Sequence, residues 1–514
     1  PERFSPRAAP AGRIRAMPLV HRVLSPEPVS TLEEHVDRGG GKGLAAAREV
    51  EPEVLIGEVE ESGLRGRGGA GFPTGTKWRT VAENRSEDLA TTVVVNGAEG
   101  EPGTFKDRTI IRTDPYPMIE GALIAARAVG STHIVVALKK VFTREVERLR
   151  SVIAEVREAG WAEGVEIEVF EGPGEYLYGE ETALLETIAG RKPFPRISPP
   201  FRRGVVDMVQ TPSDAYSDSG LSAPVEMAGP EGDSPAPPTL VDNVETLANV
   251  PTIIARGAAW FRTQGTEKSP GTIVCTVTGR VRHHGVGEVM MGTPLREVIQ
   301  DIGGGPLPGR RIKAVMSGVA TGLLTEDLLD TPVTYEDMTE AGSGLGSAGF
   351  MVFDDTVDMT AVAAGASRFL AIESCGQCTP CKQDGLALAE VWAKLCRGEG
   401  AASDLEELEK RSATVGDRAR CYLALQHQAL ATSVLERFAD DVRAHVDGGA
   451  SPVELELVAE LVDIADGQAT LDEEHRDKQP DWSFGGEYSG KSPADLFADH
   501  RADDETAISP GPGS

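Results

Sequence analysis

The sequence predicts an α/β protein built on a parallel sheet, followed by a small α+β segment and a helical, cysteine-bearing segment. Three observations predict it. First, apolar runs of strand length (92–95, 133–138, 165–170) alternate with amphipathic helical patterns (117–129, 142–159, 180–189). Strands separated by helices of that length form a parallel sheet covered on both faces. Second, short β runs (TIVCTVTG, KAVMSG) with Gly/Pro turns fill 270–335, with one short helix near 295–301. Third, residues 360–445 read as helical and carry Cys375, Cys378, Cys381 and Cys421.

The remaining stretches set the boundaries. Residues 1–50 read as an arm and linker, 51–62 as a short helix and 63–75 as a Gly-rich loop. Residues 203–238 are rich in Pro, Ser, Gly and Asp without a period, which predicts an irregular insertion. Residues 446–514 turn acidic, with a helical stripe over 452–464 and otherwise a tail that wraps a neighbour or stays disordered. The expected units are therefore 1–50, 51–260, 261–340, 341–445 and 446–514.

Composition narrows the function classes. The 514 residues include 51 basic and 81 acidic side chains, a net charge of −30. That argues against nucleic acid and against an anionic membrane surface. No apolar run approaches the roughly 20 residues of a membrane span. The first residues (PERFSPRAAPAGRIR) are basic and Pro-rich without an apolar run, which predicts an arm rather than a signal peptide. Six cysteines without a disulfide-like density suit a reducing cytosol, so a cytoplasmic location is expected.

Cys375, Cys378 and Cys381 are spaced C-x2-C-x2-C, with Cys421 as a distant fourth. Three thiolates so spaced wrap three corners of one cubane and the fourth closes it, the ligand pattern of a [4Fe–4S] cluster. Structural zinc more often uses two separated C-x2-C knuckles. Pro380 stiffens the chain just before the third thiolate. Cys275 and Cys396 are left as small buried hydrophobes.

Four further segments carry candidate chemistry. The stretch from Gly63 to Trp78 contains G-x-G-x-x-G at Gly66, Gly68 and Gly71, but the segment before it reads as helix, not the strand a dinucleotide fingerprint needs. What remains is bare backbone able to approach a phosphate, with Lys77 as a matching charge. Asn96 to Arg108 follows a strand, where open sheets bind ligands, and offers Asn96, Glu99 and Glu101. Gly172 to Thr182 also follows a strand. Glu180 and Glu181 sit there at a helix start, where capping is their plain role, and Tyr176 and Tyr178 can flank a flat ring. Asp242-Asn243 precedes a helix, as an N-cap or a sugar or phosphate contact.

Together the stretches SGLRGRGGAGFPTGTKW, NGAEGEPGTFKDR, YLYGEETALLE, NVETLANVP and ESCGQCTPCKQDG resemble one family, from about residue 50 to about 440. It is the 51 kDa-type flavoprotein subunit of respiratory complex I, which includes the diaphorase subunits of NAD-linked formate dehydrogenases and NAD-reducing hydrogenases. The resemblance implies FMN in a Rossmann-like domain, NAD(H) stacked over it, a ubiquitin-like β-grasp domain (SLBB-like) and a C-terminal helical bundle holding the cluster. It implies that Gly66, Arg67, Gly68, Gly69, Ala70, Gly71 and Lys77 cradle FMN, completed by Asn96, Glu99, Gly179, Asp242, Asn243 and Thr246. Phe72, Glu101, Tyr176, Glu180, Glu181 and Phe201 would shape the nicotinamide-nucleotide pocket. Glu99 and Glu181 are the candidate catalytic residues.

The implied function is electron input: a hydride from NADH, split into single electrons for the cluster, or the reverse. Implied partners are a thioredoxin-like [2Fe–2S] subunit and a larger iron–sulfur subunit of a dehydrogenase, hydrogenase or complex I. The chain departs from the family at Ala98, Thr80, Ser198 and Asp242. Those departures carry two alternatives: a structural iron–sulfur relay that has lost its nucleotide site, or a flavin subunit using NADPH or a partner protein as donor.

Overall fold

The computed structural model describes residues 19–85, 89–197, 200, 238–485 and 487–497. The expected 203–238 insertion, apart from its last residue, and the candidate residue Phe201 lie outside the described residues. Two short helices, α1 (Leu32–Asp37) and α2 (Lys42–Arg48), precede α3 (Pro52–Ser62) and α4 (Thr74–Glu83). The expected alternation follows: β1 (Thr92–Gly97), α5 (Lys106–Thr113), α6 (Tyr116–Val129), β2 (His133–Lys139), α7 (Thr143–Glu158), β3 (Glu166–Gly172), α8 (Glu181–Ile188), β4 (Thr239–Asn243) and α9 (Val244–Arg256). Every pairing among these strands is parallel, in the order β3-β2-β1-β4. The chain leaves β1 toward β2 on one side and returns to β4 on the other. That reversal opens a crevice beyond the carboxyl ends of β1 and β4, where ligands of open α/β sheets bind. Asn96 and Asn243 stand in register at this crevice.

The sheet is apolar because both faces are covered. Val93 and Val95 of β1 enter a large core shared with α6 and α9. Val94 points the other way, into a smaller core with Val135, Tyr178, Leu184 and Leu185. Each fully buried valine contributes about 1.5–3 kcal/mol, so neither face tolerates a polar substitution.

A short helix, α10 (Ala258–Phe261), leads to β5 (Thr272–Gly279), β6 (Gly285–Met290), α11 (Leu295–Gly303), β7 (Ile312–Ser317), β8 (Leu324–Thr325), α12 (Tyr335–Glu340) and β9 (Gly349–Asp354). These strands form a mixed sheet in the order β6-β5-β9-β7-β8, with β5 and β9 parallel and the other pairs antiparallel. Then come α13 (Met359–Glu373), α14 (Thr379–Cys396), α15 (Ala402–Thr414), α16 (Leu423–Arg437) and α17 (Ala439–Val446), packed on one another around Phe369, Leu388 and Trp392. Cys275 and Cys396 are fully buried, as expected of small core side chains.

Two expectations are corrected. Residues 19–50 are not a loose arm. One Glu288 carboxylate oxygen accepts from the amides of Arg22, Val23 and Leu24, and Glu120 accepts from those of Gly41 and Leu44. Single carboxylates on α6 and β6 thus dock a segment whose sequence has no strong period. The acidic extension is not a helix over 452–464 either. It runs without helix to β10 (Leu461–Ala465), which pairs antiparallel with β11 (Gln468–Leu471). From there to residue 497 it lies on its own chain: Lys382 Nζ donates to Pro480 O, Trp482 Nε1 to Ile372 O and Ala494 N to Cys375 O.

His35 of α1 is buried between two carboxylates, its Nδ1 3.2 Å from Asp114 and its Nε2 3.6 Å from Glu120. Burial opposes its protonation, but the two carboxylates outweigh burial and hold its pKa up to about 9. A raised folded pKa gives stability that is complete below the ordinary histidine range and is lost as pH rises through 9. The shift from 6.5 to about 9 bounds the contribution at about 3 kcal/mol. The stability difference between the wild type and His35→Asn should therefore shrink between pH 6.5 and 10. A pH-independent difference in denaturant unfolding would contradict the ion triad.

Candidate functional site

The Gly-rich loop sits between α3 and α4 and is pinned at its neck: Gly66 N donates to Phe72 O (2.8 Å) and Thr74 N to Leu64 O (2.9 Å). At Gly71, φ is +64° and a Cβ would stand 2.4 Å from the Tyr335 ring, so only glycine fits. A Cβ at Gly66 or Gly69 would make only ordinary contact, at 3.5 Å from Phe72 O and 3.9 Å from Gly346, so glycine there leaves the backbone bare without being demanded by crowding. Such a cradle fits a phosphate. The Arg67 guanidinium turns away from it, donating to the carbonyls of Thr272 and Pro270, while its amide donates to Thr246 Oγ1 (2.8 Å). Arg67 and Thr246 thus fasten the loop to α9 and β5. Phe72 is exposed on the loop.

Lys77, on α4, reaches the end of β4. Its Nζ pairs with Glu181 and donates to Val241 O (2.9 Å), with Asp242 4.0 Å away. Asp242 accepts from Trp78 Nε1 at 2.7 Å. Burial pushes Asp242 up to about 6, and Lys77 draws it back. Asn243 is the N-cap of α9, its Oδ1 accepting from Glu245 N. Its Nδ2 donates to Asp107 (2.7 Å), and Lys106 Nζ donates to its Oδ1 (3.0 Å).

The loop after β1 is built around Glu99. Its carboxylate accepts from Asp107 N (2.9 Å) at the start of α5 and from Arg108 Nε (2.9 Å), in a fully buried pair. Glu99 therefore orients α5 and its Lys106 rather than presenting a free carboxylate. Asn96 Nδ2 donates to Gly179 O (2.9 Å), clasping this loop to the turn Tyr176–Gly179. Tyr176 OH donates to Glu101 and lies 3.2 Å from Gln426 Nε2, on α16. Glu101 also accepts from Val319 N at 2.7 Å. Burial pushes Glu101 up to about 7 against those two bonds. Glu180 caps α8, accepting from the amides of Thr182 and Ala183. Tyr178 does not flank a ring site: it is fully buried in the small core beneath the sheet.

The four cluster thiols ring one pocket, walled by Leu177, Pro195, Ser374 and Gln377. Cys378 is the N-cap of α14, Pro380 and Cys381 lie in its first turn, and Cys421 precedes α16. Pro380 thus starts a helix rather than stiffening a loop. Among the described residues no three His, Cys, Asp or Glu side chains gather closely enough to hold a single metal ion. A four-iron cluster spreads its irons and takes one thiolate at each, which suits a ring of thiols around a pocket. Burial pushes Cys381 up to about 12 and raises Cys375 and Cys421, so these thiols need bound cations to ionise. The residues present fit the cluster, as the glycine cradle fits a phosphate-bearing flavin.

Comparison with known proteins agrees. The model of the Nuo51 FMN-binding domain matches residues 59–252, and that of the NADH-ubiquinone oxidoreductase-F iron-sulfur binding region matches 361–445. The second F-type subunit of the NADH-quinone oxidoreductase of Rhizobium meliloti (strain 1021) is 37% identical, over 80% of this chain and 94% of its own length. The HndC subunit of the NADP-reducing hydrogenase of Solidesulfovibrio fructosivorans is 34% identical, over 82% of each chain. The crystal structure of an NAD+-reducing [NiFe]-hydrogenase in the H2-reduced state superposes with a TM-score of 0.67 at 30% identity, over 82% of this chain and 67% of that one. Fold and site define an α/β oxidoreductase component that binds a flavin and an iron–sulfur cluster. The chain belongs to the family of F-type subunits of NADH-quinone oxidoreductase, the NADH-oxidising electron-input subunits that carry FMN and a [4Fe–4S] cluster and assemble with other iron–sulfur subunits. Among the described residues no helix is long and apolar enough to cross a membrane.

Sequence reasoning misses Lys106, Asp107, Lys139 and Gln426. Lys106 and Asp107 stand inside the Asn96–Arg108 stretch, and a Lys-Asp pair within an otherwise Gly/Glu loop is the available signal. Gln426 has none, because its partner Tyr176 lies 250 residues away.

Cys421→Ser should lower iron per chain by at least half and bleach the visible cluster absorbance while leaving FMN bound. Unchanged iron and sulfide content would contradict the fourth ligand. Lys77→Ala should weaken FMN retention about tenfold or more, the worth of one charge-assisted hydrogen bond. Equal flavin content after dialysis would contradict that contact.

Proposed function

We propose that this chain oxidises NADH, or reduces NAD+ in reverse, at the crevice beyond β1 and β4, and passes single electrons to the Cys375–Cys421 pocket. One observation carries the reading. The loops bearing the glycine cradle, Asn96–Glu101, Tyr176–Glu181 and Asp242–Thr246 meet at that crevice, and Tyr176 joins them through Glu101 and Gln426 to the helix that follows Cys421.

FMN in the cradle would supply the two-electron to one-electron conversion that NADH and an iron–sulfur cluster cannot make directly. The chain's own residues bind and orient. Gly68 to Ala70 leave backbone open to the phosphate, with Lys77 as its cation, while the amides of Gly66 and Arg67 pin the loop. Asn96 and Asn243, side by side, hold the floor of the crevice, Asn96 through Gly179 and Asn243 through Asp107 and Lys106. Arg67, Thr246 and Gly71 hold the cradle, Glu99 holds α5 behind it, and Gly179 lets the turn close on Ala98. Phe72, Glu101, Tyr176, Glu180, Glu181 and Phe201 shape the nucleotide pocket. No acid–base dyad is required; orientation of two stacked rings is the main contribution.

The domain reading follows: 51–260 as a Rossmann-like FMN domain, a β-grasp domain that runs past the expected 261–340 to residue 354 because β9 lies in the middle of its sheet, and the remaining helices to 445 as a bundle for the cluster. Partners of the thioredoxin-like [2Fe–2S] and larger iron–sulfur kinds and a cytoplasmic location complete this reading; the relatives, named as subunits of larger oxidoreductases, support assembly with other subunits.

The carboxylates Glu101, Glu180 and Glu181 disfavour the 2′-phosphate of NADPH, while the resemblance to a component of an NADP-reducing hydrogenase favours the other nucleotide. Steady-state reduction of ferricyanide separates them. NADH should exceed NADPH in kcat/KM by at least about tenfold, or about 1.4 kcal/mol. Equal or reversed efficiencies would overturn the preference, and no activity with either nucleotide would overturn the function.

A further inference from the structure

The C-terminal extension lies beyond both family matches, the later of which ends at residue 445. It nevertheless brings a carboxylate into the ligand crevice. Glu460 pairs with Lys139, the last residue of β2, whose side chain is completely buried. Lys139 Nζ also donates to Gly174 O at 3.0 Å, in the loop that leads to Tyr176. Both partners fill the space a side chain at Gly100 would take: a Cβ there would stand 2.6 Å from Lys139 Nζ and 2.9 Å from Glu460 Oε1. One ion pair therefore touches the loop after β1, the loop after β3 and the extension. The next residues reinforce it, since Leu461 O accepts from Arg108 Nη1 (2.6 Å) and Arg108 holds Glu99. Asp463 pairs with Arg112 one turn further along α5. The extension thus clamps α5 and both ligand loops from outside.

We propose that Glu460, through Lys139, is a positioning residue of the nicotinamide-nucleotide pocket, setting the height of Gly100 and Gly174 beneath the bound nucleotide. The inference rests on the assignment of that pocket to the loops bearing Glu101 and Tyr176. A partner needed only to neutralise Lys139 would have no reason to contact Gly100. Without Glu460, Lys139 keeps a single carbonyl and an uncompensated buried charge, and Glu101 loses a neighbouring negative charge that it feels. Both changes fall on the loops that carry Glu101 and Tyr176, whose bond shapes the pocket.

The test uses the full chain loaded with FMN and cluster. Three quantities are measured for wild type, Glu460→Gln and the double variant Lys139→Met/Glu460→Met. They are NAD+ affinity by calorimetry, hydrogen exchange of amides 97–103, and FMN and iron per chain. The double variant replaces the ion pair by apolar side chains of similar size, so it stays folded if the single variant does not. The proposal predicts affinity weaker by about tenfold and faster exchange at 97–103 in both variants, with FMN and iron contents unchanged. Unchanged affinity and exchange in the double variant would overturn it, leaving Glu460 a structural counter-ion. If wild-type protein retains FMN yet binds no NAD+, the assigned function fails instead. The exchange of 97–103 still decides whether the pair positions the loop.

Discussion

The whole arrangement depends on the four-residue turn Tyr176–Gly179. Its carbonyl at Gly179 accepts from Asn96, which fixes it to the end of β1. Tyr176 reaches Glu101 and Gln426, Leu177 walls the thiol pocket, and Tyr178 fills the core under the sheet. In the tight geometry of a single 3-10 turn, successive side chains leave in different directions and the backbone cannot slide. The turn therefore cannot move for one site without moving the other. A flavin site and a cluster site that must exchange electrons are held by the same few backbone atoms.

A second constraint is where the positive charge goes. In a chain with a net charge of −30, Lys106, Arg108, Lys139 and Lys478 are buried, each against one or more carboxylates. Removing one partner of a buried pair costs about 3–5 kcal/mol, so these pairs fix geometry even where their net stabilisation is small. They lie at seams: Lys106 between α5 and α9, Lys139 between β2 and the extension, Lys478 between the extension and Glu373 of α13. Packing of apolar cores makes each layer, and buried charge sets the register between layers.

Much of this was legible in the sequence for a physical reason. Val93–Val95 and Ile134–Leu138 are apolar on successive residues because both sheet faces are covered, and that pattern is local. The C-x2-C-x2-C spacing is also local, since the short turn from the end of α13 into the first turn of α14 supplies three thiols. What was hidden is long-range. Tyr178 shares its motif with Tyr176, and only the turn geometry shows that one faces the site and the other the core. Glu99 reads as a free acid until Arg108 closes on it. The extension reads as a disordered tail because its contacts are largely to backbone carbonyls and lone charges, which leave no apolar period. The segment 19–50 hides likewise, docked by carboxylates of Glu120 and Glu288 and by apolar side chains such as Val23, Val29, Leu32 and Leu44 that follow no period.

The central claim is that one packed chain joins the flavin crevice to the thiol pocket. It is tested most directly by mixing the isolated, fully loaded chain anaerobically with NADH and freeze-quenching over milliseconds to seconds. Flavin bleaching and the reduced-cluster EPR signal are followed in the same samples. The account predicts that the cluster signal rises after the flavin bleaches, in the absence of any partner protein. A flavin that bleaches fully while the cluster stays oxidised would contradict it, because the two sites would then not communicate within this chain.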